Sequence, residues 1–347
     1  MHEQMIEVSR DVSSVARQSL TEIQGVTRAT KMLATNALIE AAHAGEHGKG
    51  FAIVAEEVGR ISTNIDTITE HLRDRLDEKF TEMDRLSRSL VVDTKGERLA
   101  DLALMMIDII DRNLFERSCD VRWWATDSAV VDALTQQDSQ TAAFASQRLG
   151  VILDSYTVYF DLWIADADGK VVANGRPDRF PHVAGSSVAN TEWFKKSMAT
   201  RSGADYVACD VEQNMSLDAT VGTYATAIRE GGRENGKALG AMGIFFDWQN
   251  QSADVVGKVR LPEAERADTR CMLLDKDHRV IASSDGHGIL SERFPIETDD
   301  QSSGYYQANN GDLIAFAKTP GYETYEGLGW YGVIAQRQQA QEQRQAA

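Results

Sequence analysis

The sequence predicts an α+β protein: a long helical hairpin, a four-helix bundle when two copies pair, then a long helix and two tandem modules built on antiparallel sheets. Three observations carry this reading. Apolar residues recur at spacings of three and four through the first third of the chain. Gly45, Gly48 and Gly50 interrupt that rhythm where a chain would reverse. Beyond residue 155 the pattern turns β-branched and aromatic, and one hairpin-like segment occurs twice, 109 residues apart.

The hairpin occupies residues 1–95. Met5, Val8, Val12 and Val15 set the rhythm of the first arm, and Leu33, Ala37, Glu40, Ala41 and Ala44 share one helix face. Ala41, Ala42, Ala44 and Ala52 are small enough for helices to approach closely. After the turn, Phe51, Val54, Val58, Ile61, Ile65, Ile68 and Leu72 read as a coiled-coil seam. One apolar stripe per arm is poorly covered in a single hairpin, so a homodimer is expected. A plain antiparallel coiled coil used only for dimerisation satisfies the same periodicity. His43 and His47 lie four apart, but the glycine turn between them breaks the helical geometry a shared metal would need, and no metal site is expected.

Residues 96–155 form a connecting helix and a support helix. The segment Asp93-Thr94-Lys95-Gly96-Glu97 is expected to interrupt or re-cap the helix. Past it, Leu99, Leu102, Met106, Ile109, Ile110, Leu114, Trp123 and Trp124 make a wide apolar face, with helix running to about residue 134. A second helix, Thr141 to Ser155, carries Phe144, Leu149 and Ile152. The first sheet module spans 156–266 and the second 267–336; the tail, 337–347, is polar and Gln-rich. The repeat aligns Leu162-Trp-Ile-Ala-Asp-Ala-Asp-Gly-Lys-Val-Val-Ala with Cys271-Met-Leu-Leu-Asp-Lys-Asp-His-Arg-Val-Ile-Ala.

Composition bounds the function. The 347 residues leave room for two or three domains, and 42% hydrophobic residues support real cores. A net charge of −17 argues against nucleic-acid binding. The longest apolar stretch, Leu102 to Ile110, is interrupted by Asp108, so neither a membrane-spanning helix nor a signal peptide is expected. Cys119, Cys209 and Cys271 read as reduced thiols of a cytoplasmic protein. Asp166, Asp168 and His182, or Asp275, His278 and His287, fit turns better than acid/base work. No nucleophile motif or phosphate loop occurs, so no catalytic residue and no cofactor are expected.

Residues 36–58, Asn-Ala-Leu-Ile-Glu-Ala-Ala-His-Ala-Gly-Glu-His-Gly-Lys-Gly-Phe-Ala-Ile-Val-Ala-Glu-Glu-Val, resemble the signalling hairpin of bacterial methyl-accepting chemotaxis receptors. The resemblance implies that the tip holds a histidine kinase and its coupling adaptor, with Glu40, Glu46, Phe51 and Ile53 at matching contact positions. The chain departs at Thr35, Leu38, His43 and Gly59, where the family has Leu, Ala, Arg and Arg. The Arg replaced by His43 belongs to the contacts that gather receptor dimers into trimers. Trimer assembly is therefore in question, or becomes pH-sensitive. Gly59 weakens a helix interior by about 1 kcal/mol relative to Ala. The family's methylated Glu/Gln pairs have no good match, Glu56–Glu57 lying too near the tip. The first arm, about 65 Å at ~1.5 Å per residue, is shorter than the usual receptor arm, and methylation is not expected.

Residues 97–336 resemble the double Cache sensor, whose modules are PAS-like sheets and whose first module usually binds the small molecule. Here the sensor follows the hairpin. The ligand-binding residues expected in the first module are Tyr159, Asp161, Trp193, Tyr206, Asp210, Tyr224 and Asp247. Asp161 lies in a strand of apolar and aromatic residues, on the same face as Tyr159 and Trp163 if the strand alternates regularly; a carboxylate there needs a partner. Thr191-Glu192-Trp193-Phe194 stands where amino-acid-binding Cache domains carry Arg-x-Trp-Tyr. Phe245 stands where they hold the ligand amine with Asp, and Asp247 is two residues on, on the same face. An α-amino acid is thus disfavoured, and a neutral or cationic ligand, a heterocycle on Trp193 or an amine at Asp161 or Asp210, is favoured. Lys318, Tyr322, Tyr325, Trp330 and Tyr331 read as core and dimer support. Together these features imply a cytosolic chemoreceptor-like transducer. The alternative is a sensor or dimerising scaffold whose hairpin no longer controls a kinase.

Overall fold

The computed structural model describes residues 2–337; of the expected polar tail, all but Arg337 lies outside them. The chain forms two compact units, Met1–Lys95 and Gly96–Ala347.

In the first unit, α1 (His2–His43) reverses through a 3-10 turn, Gly45–Gly48, into α2 (Lys49–Trp124). Gly45 has φ +57°, a conformation side chains resist, and a Cβ on Gly48 would sit 2.1 Å from the Ala41 carbonyl oxygen. The reversal therefore requires glycine at both positions. The arms meet on small side chains: Ala34 and Ala41 of α1 and Ala55 of α2 are buried, with Thr27, Ser62 and Thr69 beside them. Each of these hydroxyls bonds back to the carbonyl four residues earlier, at 2.8 to 2.9 Å, so its burial leaves no donor unmet. Of the seam residues expected to await a second copy, Phe51, Val54, Ile61, Ile65, Ile68 and Leu72 are exposed in the single chain and Val58 is half-buried. Close helix approach within the hairpin selects the small face, and the larger aliphatics are left for another surface. Arg17–Asp77 (2.9 Å) and Arg73–Gln24 (2.8 Å) tie the arms laterally.

In the second unit, α2 continues without the interruption expected at 93–97. A Cβ on Gly96 would lie 2.2 Å from the Tyr305 ring, so this glycine serves close packing rather than a break. α2 ends at Trp124 and helix resumes within the expected helical region: Asp127 caps α3 (Ser128–Thr135) and Asp138 caps α4 (Ser139–Ser155). The first sheet contains β1 (Tyr159–Asp166), β2 (Val171–Asn174), β3 (Val207–Asn214), β4 (Ala219–Arg229) and β5 (Ala238–Asp247), with α5 (Glu192–Met198) between β2 and β3. After α6 (Trp248–Gly257) and α7 (Glu263–Arg266) come β6 (Thr269–Leu274), β7 (Val280–Ser283), β8 (Ser303–Gln307), β9 (Leu313–Lys318) and β10 (Tyr331–Gln336).

The sheet orders are β2-β1-β5-β4-β3 and β7-β6-β10-β9-β8, the same antiparallel path twice. The repeat holds at the atomic level. Asp166 Oδ1 accepts from the Asp168 and Lys170 amides, and Asp275 Oδ1 accepts from those of Asp277 and Arg279. The residue each turn needs in the left-handed region is Gly169 (φ +79°) in one and His278 (φ +61°) in the other. Leu99, Met106, Ile107, Ile110, Leu114 and Trp124 of α2 are buried against these modules, whereas Ile109 and Trp123 are exposed. No helix among the described residues is long and apolar enough to cross a membrane.

Candidate functional site

The hairpin tip presents all four expected partner-binding residues outward. Phe51 is 76% exposed and Ile53 70%; Glu40 and Glu46 are also exposed, and Glu46 pairs with Lys49 at 2.6 Å. Two large apolar side chains held in water beside two carboxylates make a surface suited to a protein partner.

In the first sensor module, Asp161 is fully buried and saturated. Its Oδ1 accepts from the Leu162 amide (2.9 Å) and the Arg176 amide (3.0 Å). Its Oδ2 accepts from Trp163 Nε1 (2.9 Å) and Asn174 Nδ2 (2.8 Å). Burial pushes its pKa up while the four donors pull it down, and burial is the larger influence. An amine arriving there would have to displace one of these donors. Trp193 is likewise enclosed, edge-on to Phe245 with centroids 5.9 Å apart, in a cluster with Trp163, Phe180 and Val221. It offers no free face for a heterocycle.

The other expected ligand residues do not join them. A β-bulge between Tyr159 and Asp161 breaks the alternation of β1. Phe160 packs with the Trp163 cluster, while Tyr159 donates to Asp120 of α2 at 2.6 Å and meets Trp124 edge-on. The shared face expected for Tyr159, Asp161 and Trp163 is thus corrected. Tyr224 stacks on Tyr206 (6.1 Å) and donates to the Tyr325 hydroxyl (3.1 Å); its burial raises its pKa far. Asp210 accepts from Trp330 Nε1 at 2.9 Å. Asp247 pairs with Val221 at the end of β5 and accepts from the Asn250 amide as the cap of α6. The regular register of β5 against β4 keeps it on the Phe245 face, as expected, but at the strand's end, where its carboxylate is taken up by the cap. The seven residues are divided among the core cluster, the α2 contact, the junction of the two modules and a helix cap.

The sequence reading missed Asn174 and Asp120, which complete the Asp161 and Tyr159 contacts. Asn174 was accessible in principle, since it pairs with Trp163 across the β1–β2 hairpin; nothing local marks Asp120. It also missed a cleft of about 470 Å³ lined by Arg122, Trp123, Arg229 and Arg233. These arginines converge only through the tertiary fold.

Residues 1–98 match the family model of the methyl-accepting chemotaxis protein signalling domain. The methyl-accepting chemotaxis protein NahY of Pseudomonas putida is 43% identical over 65 residues, 19% of this chain and 12% of that one. McpP of the same species is 29% identical over 156 residues, 42% of this chain and 29% of that one. The chain thus spans less than a third of the length of either relative. The second unit has the fold of sensor domains. The ligand-binding domain of the Pseudomonas aeruginosa amino acid chemoreceptor PctC superposes with a TM-score of 0.52 at 13% identity, covering 70% of this chain and 99% of that one. The Vibrio cholerae histidine kinase DctB sensor domain gives 0.51 at 14% identity, with the same coverage. One chain therefore carries a segment similar to the signalling domain of methyl-accepting chemotaxis proteins and a unit with the double-module fold of chemoreceptor sensor domains.

Proposed function

We propose that this protein is a cytosolic chemoreceptor-like signal transducer. A small molecule binds its sensor unit, α2 carries the resulting bias, and the hairpin tip passes it to a histidine kinase through a coupling adaptor, with no catalytic step in this chain. The observation that carries the reading is the single helix Lys49–Trp124, which supplies both the return arm of the hairpin and the helix against which both sensor modules hydrogen-bond. Asp120 meets Tyr159 of the first module, and Asp111 accepts from Thr319 and Gly321 of the second. A ligand that favours one arrangement of these contacts shifts a population of helix states. The exposed stripe of Val54, Ile61 and Ile68 supports pairing of two copies.

The test is reconstitution of the full chain with a chemotaxis histidine kinase and its adaptor, reading phosphate incorporation. The expected result is a change in kinase activity that Phe51→Ala and Ile53→Ala abolish while the dimer persists. Retained dimers with no adaptor binding by the unaltered chain would instead support the scaffold reading, which the substitutions at His43 and Gly59 favour.

A further inference from the structure

The cleft at the C-terminal end of α2 has an electrostatic character opposite to that of the whole chain. Arg229 is only 7% exposed. Its Nη1 donates to the Gly236 carbonyl (3.0 Å) and its Nη2 to the Thr200 carbonyl and hydroxyl (2.7 and 3.1 Å). Its Nε–H is buried without an acceptor. None of the ion pairs of the described residues includes Arg229, Arg233 or Arg122. Arg122 donates to the Ser118 carbonyl (2.8 Å) and lies over the Tyr206 ring. The single carboxylate on the wall, Glu234, accepts from Ser202 at 3.0 Å. Three guanidiniums against one carboxylate therefore surround about 470 Å³ of space in a chain of net charge −17.

A buried guanidinium without a counter-charge is unfavourable unless something supplies one. Guanidinium forks match oxyanions of carboxylate or phosphate geometry. The rim adds a second feature: Trp123, the next-to-last residue of α2, is 69% exposed, with its ring uncovered. The opposite wall is set by Gly232, with φ +63°, where a Cβ would sit 2.9 Å from the Thr126 carbonyl oxygen, so the loop is drawn close to the helix end. The volume falls in the range of small-molecule sites.

We infer that this cleft binds a small organic anion, an oxyanion on a flat apolar body, with Arg229 and Arg233 holding the charge and Trp123 covering the ring. The cleft lies apart from the Trp163–Trp193 cluster, and it adjoins the residue with which α2 ends. It deepens the sensor reading, yet the binding itself does not depend on any role of the hairpin.

The test is calorimetric titration of the full chain with matched probes: indole-3-acetate, tryptamine, phenyl phosphate and inorganic phosphate. Indole-3-acetate and tryptamine share a ring and differ in the sign of charge. The expected result is saturable binding of indole-3-acetate, phenyl phosphate or both, which names the preferred oxyanion, and no binding of tryptamine. Arg233→Glu, at an exposed position, and Trp123→Ala should each weaken it roughly tenfold or more. Unchanged unfolding midpoints without ligand show that both variants fold. Binding of tryptamine as tight as indole-3-acetate, binding that survives both substitutions, or inorganic phosphate binding as tightly as the aromatic anions would each overturn the assignment, as would no binding by any probe. Loss of kinase control with anion binding intact would sink the transducer reading alone.

Discussion

The hairpin and the sensor sort their side chains in opposite ways. In the hairpin, alanine, serine and threonine are buried between the arms while Val54, Ile61 and Ile68 face water. In the sensor, Trp248, Trp330, Tyr224 and Phe245 are enclosed, and even a carboxylate, Asp161, is sealed inside a full set of hydrogen bonds. The two sheet cores of the sensor are complete within a single copy, since the large apolar groups of their strands already have partners, although Trp123 and Phe144 on its helices stay exposed. The hairpin is not, because the apolar surface that would stabilise it most is still exposed.

The largest effect that could break this comparison lies inside the sensor. Asp161→Asn places an amide NH2 where one carboxylate oxygen accepts two donors, so two buried N–H groups lose their acceptor. Unfolding in urea should show a loss of about 3–5 kcal/mol; a loss below 1 kcal/mol would mean that the site is wetter than its burial indicates. Next in size is Ile68→Ser. Losing an interface Ile should cost the dimer about 2 kcal/mol per copy, read as a rise in the monomer fraction by analytical ultracentrifugation, while the sensor's unfolding midpoint stays put. A dimer as strong as the original would show that the exposed stripe has another occupant. Gly96→Ala should cost about 1–3 kcal/mol through collision with the Tyr305 ring, despite the gain in helix propensity; a more stable variant would show that the ring moves aside freely.

The smallest effect is a pH slope. Asp111 is buried, and burial lifts its pKa above the ordinary 3.8 despite bonds from Thr319 and Gly321. The folded state thus holds its proton more tightly than the unfolded state. Its contribution is fullest below pH 3.8 and is lost as pH rises through the folded-state value. Both donors meet the same oxygen, Oδ2, so Asp111→Asn keeps both bonds. The variant should differ by less than about 1 kcal/mol at neutral pH and lack that slope; a loss as large as that of Asp161→Asn would show that the charge itself is needed.

Local chemistry was legible in the sequence, and long-range packing was not. Asp166 and Asp275 were found because an Asp side chain bonding its own turn leaves a spaced signature, followed by Gly169 or its counterpart His278. The glycines of the hairpin reversal were found for the same reason. The hairpin divides its faces by size, because two arms of one chain approach most closely on the smaller residues; alanines marked that face in the sequence, while the buried Thr27, Ser62 and Thr69 gave no such signal. Gly96 was misread as a breaker because its partner, Tyr305, is distant in sequence. Tyr159 left the expected face because of one bulge before Asp161 that no residue type in that run announces, and Asp210 and Tyr224 are held by Trp330 and Tyr325, partners distant in sequence. The arginine cleft was invisible because Arg122, Arg229 and Arg233 come from a helix end, a strand end and a loop that only the fold brings together.

Eight buried positions of the hairpin recur at intervals of seven: Leu20, Thr27, Ala34 and Ala41 on the outgoing arm, Gly48, Ala55, Ser62 and Thr69 on the return. This spacing restricts how the segment can change length over evolutionary time. Losing one residue from one arm turns every later small side chain away from the seam by about 100° at 3.6 residues per turn. Removing seven from each arm together restores the same facing partners at a shorter reach. Insertions and deletions should therefore survive in this hairpin only as paired blocks of seven, and the length of the hairpin itself is drawn from a short ladder of allowed values.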